Sequence, residues 1–238
     1  MDIEFICSDK SVLKHFPIVP AKDCLPQWYK ELHAQDNNGV PTVAGCMPVR
    51  DMVTSGYIVP NAFEQEVISD SLNQYGEEEI ERVYPVEEIG KFFEIQNHMT
   101  HPGSGHSHSQ CPVEIEGSKK SYFKISLPWQ IKTPPGYSCL IQQPYFFFEK
   151  RFTLFPGIVD TDTIDVPWVN WPGVMNGKPG DKVTIEPGAP LMQIIPFKRD
   201  EWQMEVEVDE RGAERDTALK FFLTNAYARI FHRKKKYK

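Results

Sequence analysis

The sequence predicts a mainly β protein: a single compact β-roll or barrel with a short N-terminal helix and a C-terminal helix. Three observations carry this prediction. Short apolar and aromatic runs alternate with Pro-Gly breaks through residues 133–199, which is typical of short strands joined by tight turns. The chain contains 20 prolines, which favour turns and strand edges over a helical bundle. Hydrophobic residues make up 40% of the chain, enough to bury a core.

The order of the predicted elements gives one domain. We expect this domain, residues 1–238, to consist of an N-terminal arm and helix at 1–42, a β core at 43–210, and a C-terminal helix and basic tail at 211–238. The short N-terminal helix is expected at 25–32, with Pro26 in its first turn. Apolar residues recur at helical spacing between 219 and 230, and the basic tail follows them as a solvated segment.

Alternating patterns locate the strands of the core. Residues 57–68 and 122–127 alternate apolar and polar side chains, as half-buried strands do. Residues 203–208 alternate in the same way and predict a final edge strand, whose glutamates discourage edge-to-edge pairing. Cys46 lies among apolar neighbours without a local histidine to lower the pKa of its thiol. It is therefore predicted to be a buried structural cysteine.

Charge and cysteine spacing exclude several classes of function. The net charge of −7 makes the body repel phosphate, so nucleic acid is not an expected partner. The five cysteines form no CxxC pair, which excludes a zinc ribbon or a thioredoxin-like motif. The N-terminus lacks the bases of a signal peptide, and no apolar run approaches the roughly 18 residues of a membrane span. A cytoplasmic protein with free thiols is expected.

A histidine cluster is the candidate metal site. Four histidines lie within His98–His108 on a segment rich in glycine and serine, a composition that suits a transition metal with nitrogen ligands. Together with Glu114, His106 and His108 resemble half of the cupin metal motif, an HxH followed by a glutamate. The resemblance implies a metalloenzyme that holds a divalent metal through His101, His106 and His108. The alternative is an exposed histidine-rich loop that binds no metal.

The aromatic run Tyr145–Phe148 is the candidate interaction surface. In an extended strand, alternation sends half of such a run outward. The outward half must meet an arm of the chain, a second subunit or a ligand. We therefore expect a homo-oligomer or a protein partner. A platform on which a base or sugar stacks is the alternative.

Four blocks of the sequence resemble an uncharacterised protein family of tailed phages and some bacteria. The blocks are Pro17–Lys30, Cys46–Tyr57, Pro128–Ser138 and Gly157–Asp162. That family carries no established activity. Together with the arms at both ends and the exposed aromatic run, the likeness favours a binding or assembly protein without classical catalysis. It also implies a place in the host cytoplasm or in the virion, if a phage encodes the chain.

Residues 134–199 also resemble the β-clip core of dUTPases and dCTP deaminases. Pro134–Tyr137 matches the PPG block of those enzymes, and Gly157–Asp162 matches their GVIDxD block. The resemblance implies a β-clip-like roll or a related sandwich, a nucleotide ligand, and Asp160 as the general base. The candidate ligand-binding residues are Tyr137, Asp162, Asn170, Gln193 and Trp168.

The departures from that pattern decide the order of the hypotheses. Thr163 stands where dUTPases have a tyrosine that stacks on the base, and 142–148 replaces their phosphate-binding segment. The run 160–165 is also typical of a turn closed by bonds from side chain to backbone, or of a hard-cation site. The sequence therefore favours a binding or assembly protein. A nucleotide-processing enzyme is the first alternative and a cupin-like metalloenzyme is the second.

Overall fold

The computed structural model describes residues 1–7, 9–62, 64–68, 103–105, 122–164, 169–176, 181–208 and 227–237. It confirms a mainly β protein built from antiparallel strands with few, short helices. The strands are β1 (Glu4–Ile6), β2 (Val19–Pro20), β3 (Tyr57–Pro60), β4 (Gln65–Ile68), β5 (Gly103–Gly105), β6 (Tyr122–Leu127), β7 (Gln130–Lys132), β8 (Tyr137–Gln142), β9 (Phe152–Leu154), β10 (Gly157–Val159), β11 (Val169–Met175), β12 (Lys182–Ile185) and β13 (Pro190–Lys198). The helices are α1 (Lys10–His15), α2 (Gln27–Glu31) and α3 (Met47–Thr54).

The chain divides into two compact units. The first, which we call the sheet unit, consists of Met1–Val19 and Gly56–Lys198. The second, which we call the helical unit, consists of Pro20–Ser55 and Arg199–Lys238. No described helix is long and apolar enough to cross a membrane.

Two antiparallel sheets organise the sheet unit. One has five strands in the order β10-β8-β13-β3-β2, and the other has four in the order β5-β6-β11-β9. Two further pairs, β1 with β7 and β4 with β12, complete the described strands. Alternate residues are buried in β6, β9 and β12, whereas β3, β8 and β13 bury consecutive residues. The largest of the fully buried side chains are Phe123, Ile125, Leu127, Ile141, Leu154, Met175, Ile185, Leu191, Met192 and Ile194.

The predicted strand over 57–68 is two strands. It breaks at Asn61, whose side chain is completely buried. The side-chain amide of Asn61 donates to the carbonyl oxygens of Ile185 at 2.9 Å and Glu186 at 3.2 Å. The backbone N–H of Gly188 donates to the carbonyl oxygen of Asn61 at 2.7 Å. These bonds satisfy a buried polar group and fasten the end of β3 to the turn between β12 and β13.

Gly56 allows β3 to lie against β13. Its φ is +69°, a left-handed conformation that side chains with a Cβ rarely adopt. A Cβ at this position would stand 1.9 Å from the carbonyl oxygen of Ile194. A side chain here would therefore push β3 away from β13. This contact gives the Gly56-Tyr57 pair of the sequence a structural role.

The helical unit corrects one prediction and confirms another. Residues 47–54 form α3, with Pro48 in the first turn, within the range that the sequence analysis assigns to the β core. Cys46 immediately precedes this helix and is exposed, so the prediction of a buried structural cysteine is wrong. The predicted helix at 25–32 is confirmed as α2, with Pro26 as its N-cap.

Asp51 on α3 binds part of the basic tail. Its carboxylate lies 3.0 Å from Nε2 of His232 and accepts a hydrogen bond from Nζ of Lys235. Burial raises the pKa of Asp51, but the hydrogen bonds from Lys235 and His232 lower it, and the net pKa is below its usual value. The tail is therefore anchored at two residues rather than wholly solvated. The π-helical turn Tyr227–Phe231 precedes it, and the rest of the predicted C-terminal helix lies outside the described residues.

The predicted edge strand at 203–208 is wrong. Residues 201–208 belong to no strand in the structure, and all eight are exposed. Alternation supplies one apolar and one polar face, but a strand also requires a neighbouring backbone with which to pair. This segment has no such neighbour in the part of the chain that the structure describes.

Gly56→Ala tests the close approach of β3 and β13. We expect it to lower the free energy of unfolding by about 3 kcal/mol or more, measured by urea denaturation. Gly136→Ala is the matched control, because Gly136 has a φ of +85° but no atom lies within 4 Å of the position that a Cβ would occupy. That variant should lose only the free energy needed to hold a non-glycine residue at a positive φ, about 1 kcal/mol. Equal losses at the two positions would contradict a steric role for Gly56.

Candidate functional site

Asp160 lies at the end of β10, beside the start of β8. The antiparallel register of these strands places Val159 opposite Cys139, and this pairing brings the next residue, Asp160, alongside Ser138. Oγ of Ser138 donates to Oδ1 of Asp160 at 2.7 Å. Ser138 is completely buried, whereas Asp160 is exposed. The structure therefore fixes one oxygen of the candidate base and leaves the carboxylate accessible to solvent.

The two residues that follow Asp160 are also bonded to the β8 region. Thr161 is buried, and its hydroxyl lies 2.7 Å from the hydroxyl of Thr133 and 3.4 Å from Sγ of Cys139. Oδ2 of Asp162 accepts a hydrogen bond from the backbone N–H of Gly136 at 2.8 Å. Burial raises the pKa of the Cys139 thiol, which disfavours the thiolate form.

The segment after Asp160 is a hydrogen-bonded turn. The carbonyl oxygen of Asp160 accepts from the backbone N–H groups of Thr163 and Ile164, both at 3.2 Å. The hydroxyl of Thr163 donates to the same oxygen at 3.2 Å. The last of these three bonds joins a side chain to the backbone, as the turn interpretation of the sequence predicts. We call this element, residues 160–164, the acidic turn.

The structure brings together only part of the predicted ligand set. Tyr137 and Asp162 lie at the acidic turn with Asp160, since Gly136 binds Asp162 directly. Gln193 pairs with Gln142 at the opposite end of β8, four residues and roughly 13 Å from Ser138. Asn170 is exposed on β11, in the other sheet.

The remaining candidates lie outside the described residues. These are Trp168 and the metal candidates His101, His106 and His108. Among the described residues, no group of three or more histidine, cysteine, aspartate or glutamate side chains is arranged to hold a metal ion. The cupin-like hypothesis therefore stays a prediction from the sequence.

The aromatic run forms a compact turn rather than a strand. Tyr145–Phe147 is a single 3₁₀ turn, and Phe148 ends it in the left-handed region with a φ of +50°. The alternation expected for a strand is therefore wrong, and none of the four aromatic side chains is buried. The rings of Tyr145 and Phe148 pack edge to face with centroids 6.1 Å apart. We call residues 145–148 the aromatic turn.

A cavity of about 380 Å³ lies beside the aromatic turn. Pro144, Tyr145, Phe148, Leu154 and Pro156 supply most of its apolar wall, and Lys150 adds a charge. The residues that line it come from the end of β8, from the aromatic turn and from β9, all in the sheet unit. The sequence indicates the aromatic run but not the cavity, because β9 and Pro156 complete it only in the folded chain.

The polar side chains of the cavity wall are engaged within the protein. The amide of Gln142 donates to the side-chain oxygen of Gln193 at 3.2 Å, and Oε1 of Gln143 accepts from the backbone N–H of Leu154 at 2.9 Å. Glu149 accepts two hydrogen bonds from the guanidinium of Arg151, at 2.9 and 2.7 Å. Burial raises the pKa of Glu149, but the bonds from Arg151 bring it below its usual value. The cavity consequently presents a mainly apolar surface.

Comparison with known proteins adds little to this geometry. No family model matches the chain, and no curated protein matches it. A solved structure described as "EIAV DUTPASE NATIVE" overlaps 88% of this chain and 98% of its own, with 9% identity and a TM-score of 0.38. An overlap of that quality assigns neither an activity nor a ligand. The resemblance to a phage family stays a prediction from the sequence.

The backbone of Phe148 offers a test of strain at the cavity. Phe148→Ala and Phe148→Gly both remove a ring that is already 52% exposed, but only glycine adopts a positive φ without strain. We expect the glycine variant to be the more stable by about 1 kcal/mol in urea denaturation.

The same pair of substitutions at Phe147 is the control. Phe147 is not among the described residues with positive φ. There the order should reverse, because glycine loses more backbone entropy than alanine at an ordinary φ. The same order at both positions would show that Phe148 is not strained.

Proposed function

We propose that this protein acts by binding and assembly, and that it associates with a second copy of itself through the aromatic turn and its cavity. The observation that carries the proposal is the exposure of Tyr145, 72%, beside a cavity whose wall is apolar. Large aromatic rings at the rim of an apolar cavity are typical of the centre of a protein interface.

The energetics favour burial of this surface. An aromatic side chain buries roughly 150–250 Å² when it is fully covered. At about 25 cal/mol per Å², covering Tyr145 and Phe148 stabilises a complex by several kcal/mol before the entropy of association is subtracted. The left-handed backbone at Phe148 adds to the argument, since a non-glycine residue held there costs about 1–2 kcal/mol. Such strain is often kept where a side chain has a role in binding.

The chemistry of the cavity favours a protein occupant over an anionic ligand. Its glutamine and glutamate side chains are already bonded to Gln193, Leu154 and Arg151. A phosphate would find Lys150 but no helix N-terminus in the cavity wall. An apolar side chain, in contrast, needs only the wall itself.

Removal of the two exposed rings of the aromatic turn should weaken the association of two copies. We expect Tyr145→Ser combined with Phe148→Asn to raise the dissociation constant at least tenfold, measured by sedimentation and by light scattering after size exclusion. Asparagine suits position 148 because it tolerates the left-handed conformation. Ile164→Ser, which removes an exposed apolar side chain from the acidic turn, is the control and should leave association unchanged. A wild-type chain that stays monomeric at about 100 µM would overturn the proposal.

A second candidate function rests on the acidic turn. The carboxylate of Asp160 is exposed and has one oxygen fixed by Ser138, which is the arrangement of an oriented general base. Under this alternative the protein processes a nucleotide, with Tyr137 and Asp162 beside the ligand. It differs from the assembly proposal in requiring turnover.

Hydrolysis assays decide between the two candidates. A panel of nucleoside triphosphates with Mg²⁺ is incubated with the wild type, Asp160→Asn and the exposed control Asp181→Asn. A base role predicts that Asp160→Asn alone lowers kcat, by about 100-fold or more. The assembly proposal predicts that all three proteins leave the nucleotides intact.

A further inference from the structure

We propose that residues 201–208 of one copy are the segment that occupies the aromatic cavity of a second copy. We call these residues the bare strand, because they alternate like a strand in sequence but form and pair with none in the described part of the chain. The inference rests on the proposed assembly function. It adds which segment of one copy binds the cavity of the other. It depends on three properties of the bare strand: its apolar face, its charge and its lack of a neighbouring strand.

The bare strand carries large apolar side chains that are exposed in the part of the chain that the structure describes. In an extended segment, residues two apart lie on the same side. Trp202, Met204, Val206 and Val208 would therefore share one face when the segment is extended beside another strand, and all four are highly exposed, at 91% for Trp202 and 86% for Met204. A contiguous apolar stripe of this size marks a site of interaction.

The cavity has the size and chemistry to accept these side chains. Its volume of about 380 Å³ accommodates an indole ring or a methionine side chain, and its wall needs no polar partner. The rings of Tyr145 and Phe148 can pack edge to face on the indole of Trp202. They can also contact the thioether of Met204, since sulfur and aromatic rings attract each other.

Charge contributes to this pairing at longer range and without a contact inside the cavity. The bare strand carries Glu205 and Glu207 on the face opposite its apolar side chains, and the cavity wall contributes the cation of Lys150. Two copies with a net charge of −7 repel each other as whole molecules. The attraction between this lysine and the acidic segment offsets part of that repulsion locally and is screened by salt.

The edge of the five-stranded sheet supplies a backbone partner. β10 is the last strand in the order of that sheet, with a neighbour on one side only among the described strands. Its exposed residue Ile158, 66% accessible, lies two residues after Pro156 of the cavity wall, roughly 7 Å along the chain. The bare strand can thus add to the edge of β10 and place its apolar face against Ile158 and the cavity.

Reciprocal exchange would close the assembly at two subunits. Each copy has one bare strand and one cavity, so two equivalent contacts can form about a two-fold axis. The second contact doubles the buried area, moving it toward the roughly 1,200–2,000 Å² of total surface that stable complexes bury.

A complementation experiment tests the inference on the full-length chain. The strand variant, Trp202→Ser with Met204→Ser, retains its cavity. The cavity variant, Tyr145→Ser with Phe148→Asn, retains its bare strand. We expect each variant alone to be monomeric and an equimolar mixture to form a heterodimer, detected by native mass spectrometry. Because the heterodimer keeps one contact of two, its dissociation constant should exceed that of the wild type by at least about tenfold.

The opposite face of the bare strand provides the matched control. Gln203→Ser with Glu207→Ser changes two exposed residues but leaves the apolar stripe intact. This variant should retain the dimer. At most, its dissociation constant should depend less strongly on salt concentration. Circular dichroism of all variants confirms that exposed substitutions leave the fold unchanged.

The outcomes separate this inference from the proposed function. If the strand variant dimerises like the wild type while the cavity variant does not, the inference is overturned and the assembly function stands. If both variants dimerise like the wild type, both proposals fall. If each variant is monomeric and the mixture also stays monomeric, the bare strand and the cavity do not bind each other, and the inference is overturned.

Discussion

The pairing of β8 with both β10 and β13 is the interaction on which the sheet unit depends. It aligns Val159 with Cys139 on one side and Ile194 with Ile141 on the other. β8 thereby fixes the two features that bear on function, because the acidic turn forms at its first residues and the cavity at its last. Its buried side chains Cys139 and Ile141 share one face and hold this register, since a shift by one residue would move both to the other face.

The elements that the sequence predicted correctly have local causes. β6 is buried at Phe123, Ile125 and Leu127, as the alternation of its side chains indicated. The acidic turn is closed by hydrogen bonds among five consecutive residues, 160–164. Gly56 and Asn61 differ, because their partners Ile194 and Ile185 lie more than 120 residues away. A single sequence carries no information on such distant pairs until a register is known.

Two of the wrong expectations share one physical origin. Both the prediction for the aromatic turn and the prediction for the bare strand depend on alternation alone. Pro144 begins a 3₁₀ turn in the first case, and the tighter helical period replaces the period of two. In the second case the alternation is real but the described chain offers no strand beside it. Alternation therefore predicts which side chains share a face, and it does not predict what covers that face.

The two candidate sites differ in whether contacts within the protein account for all of their side chains. At the acidic turn the side chains of Asp160, Thr161 and Asp162 accept or share hydrogen bonds with residues 133–139, so folding itself accounts for them. At the cavity the polar side chains are equally well bonded, but the aromatic rings remain exposed to water. Exposed rings at an apolar wall are a free-energy cost that only a second surface removes. For that reason the fold alone explains the acidic turn, whereas the exposed rings of the aromatic turn are what the proposed assembly would account for.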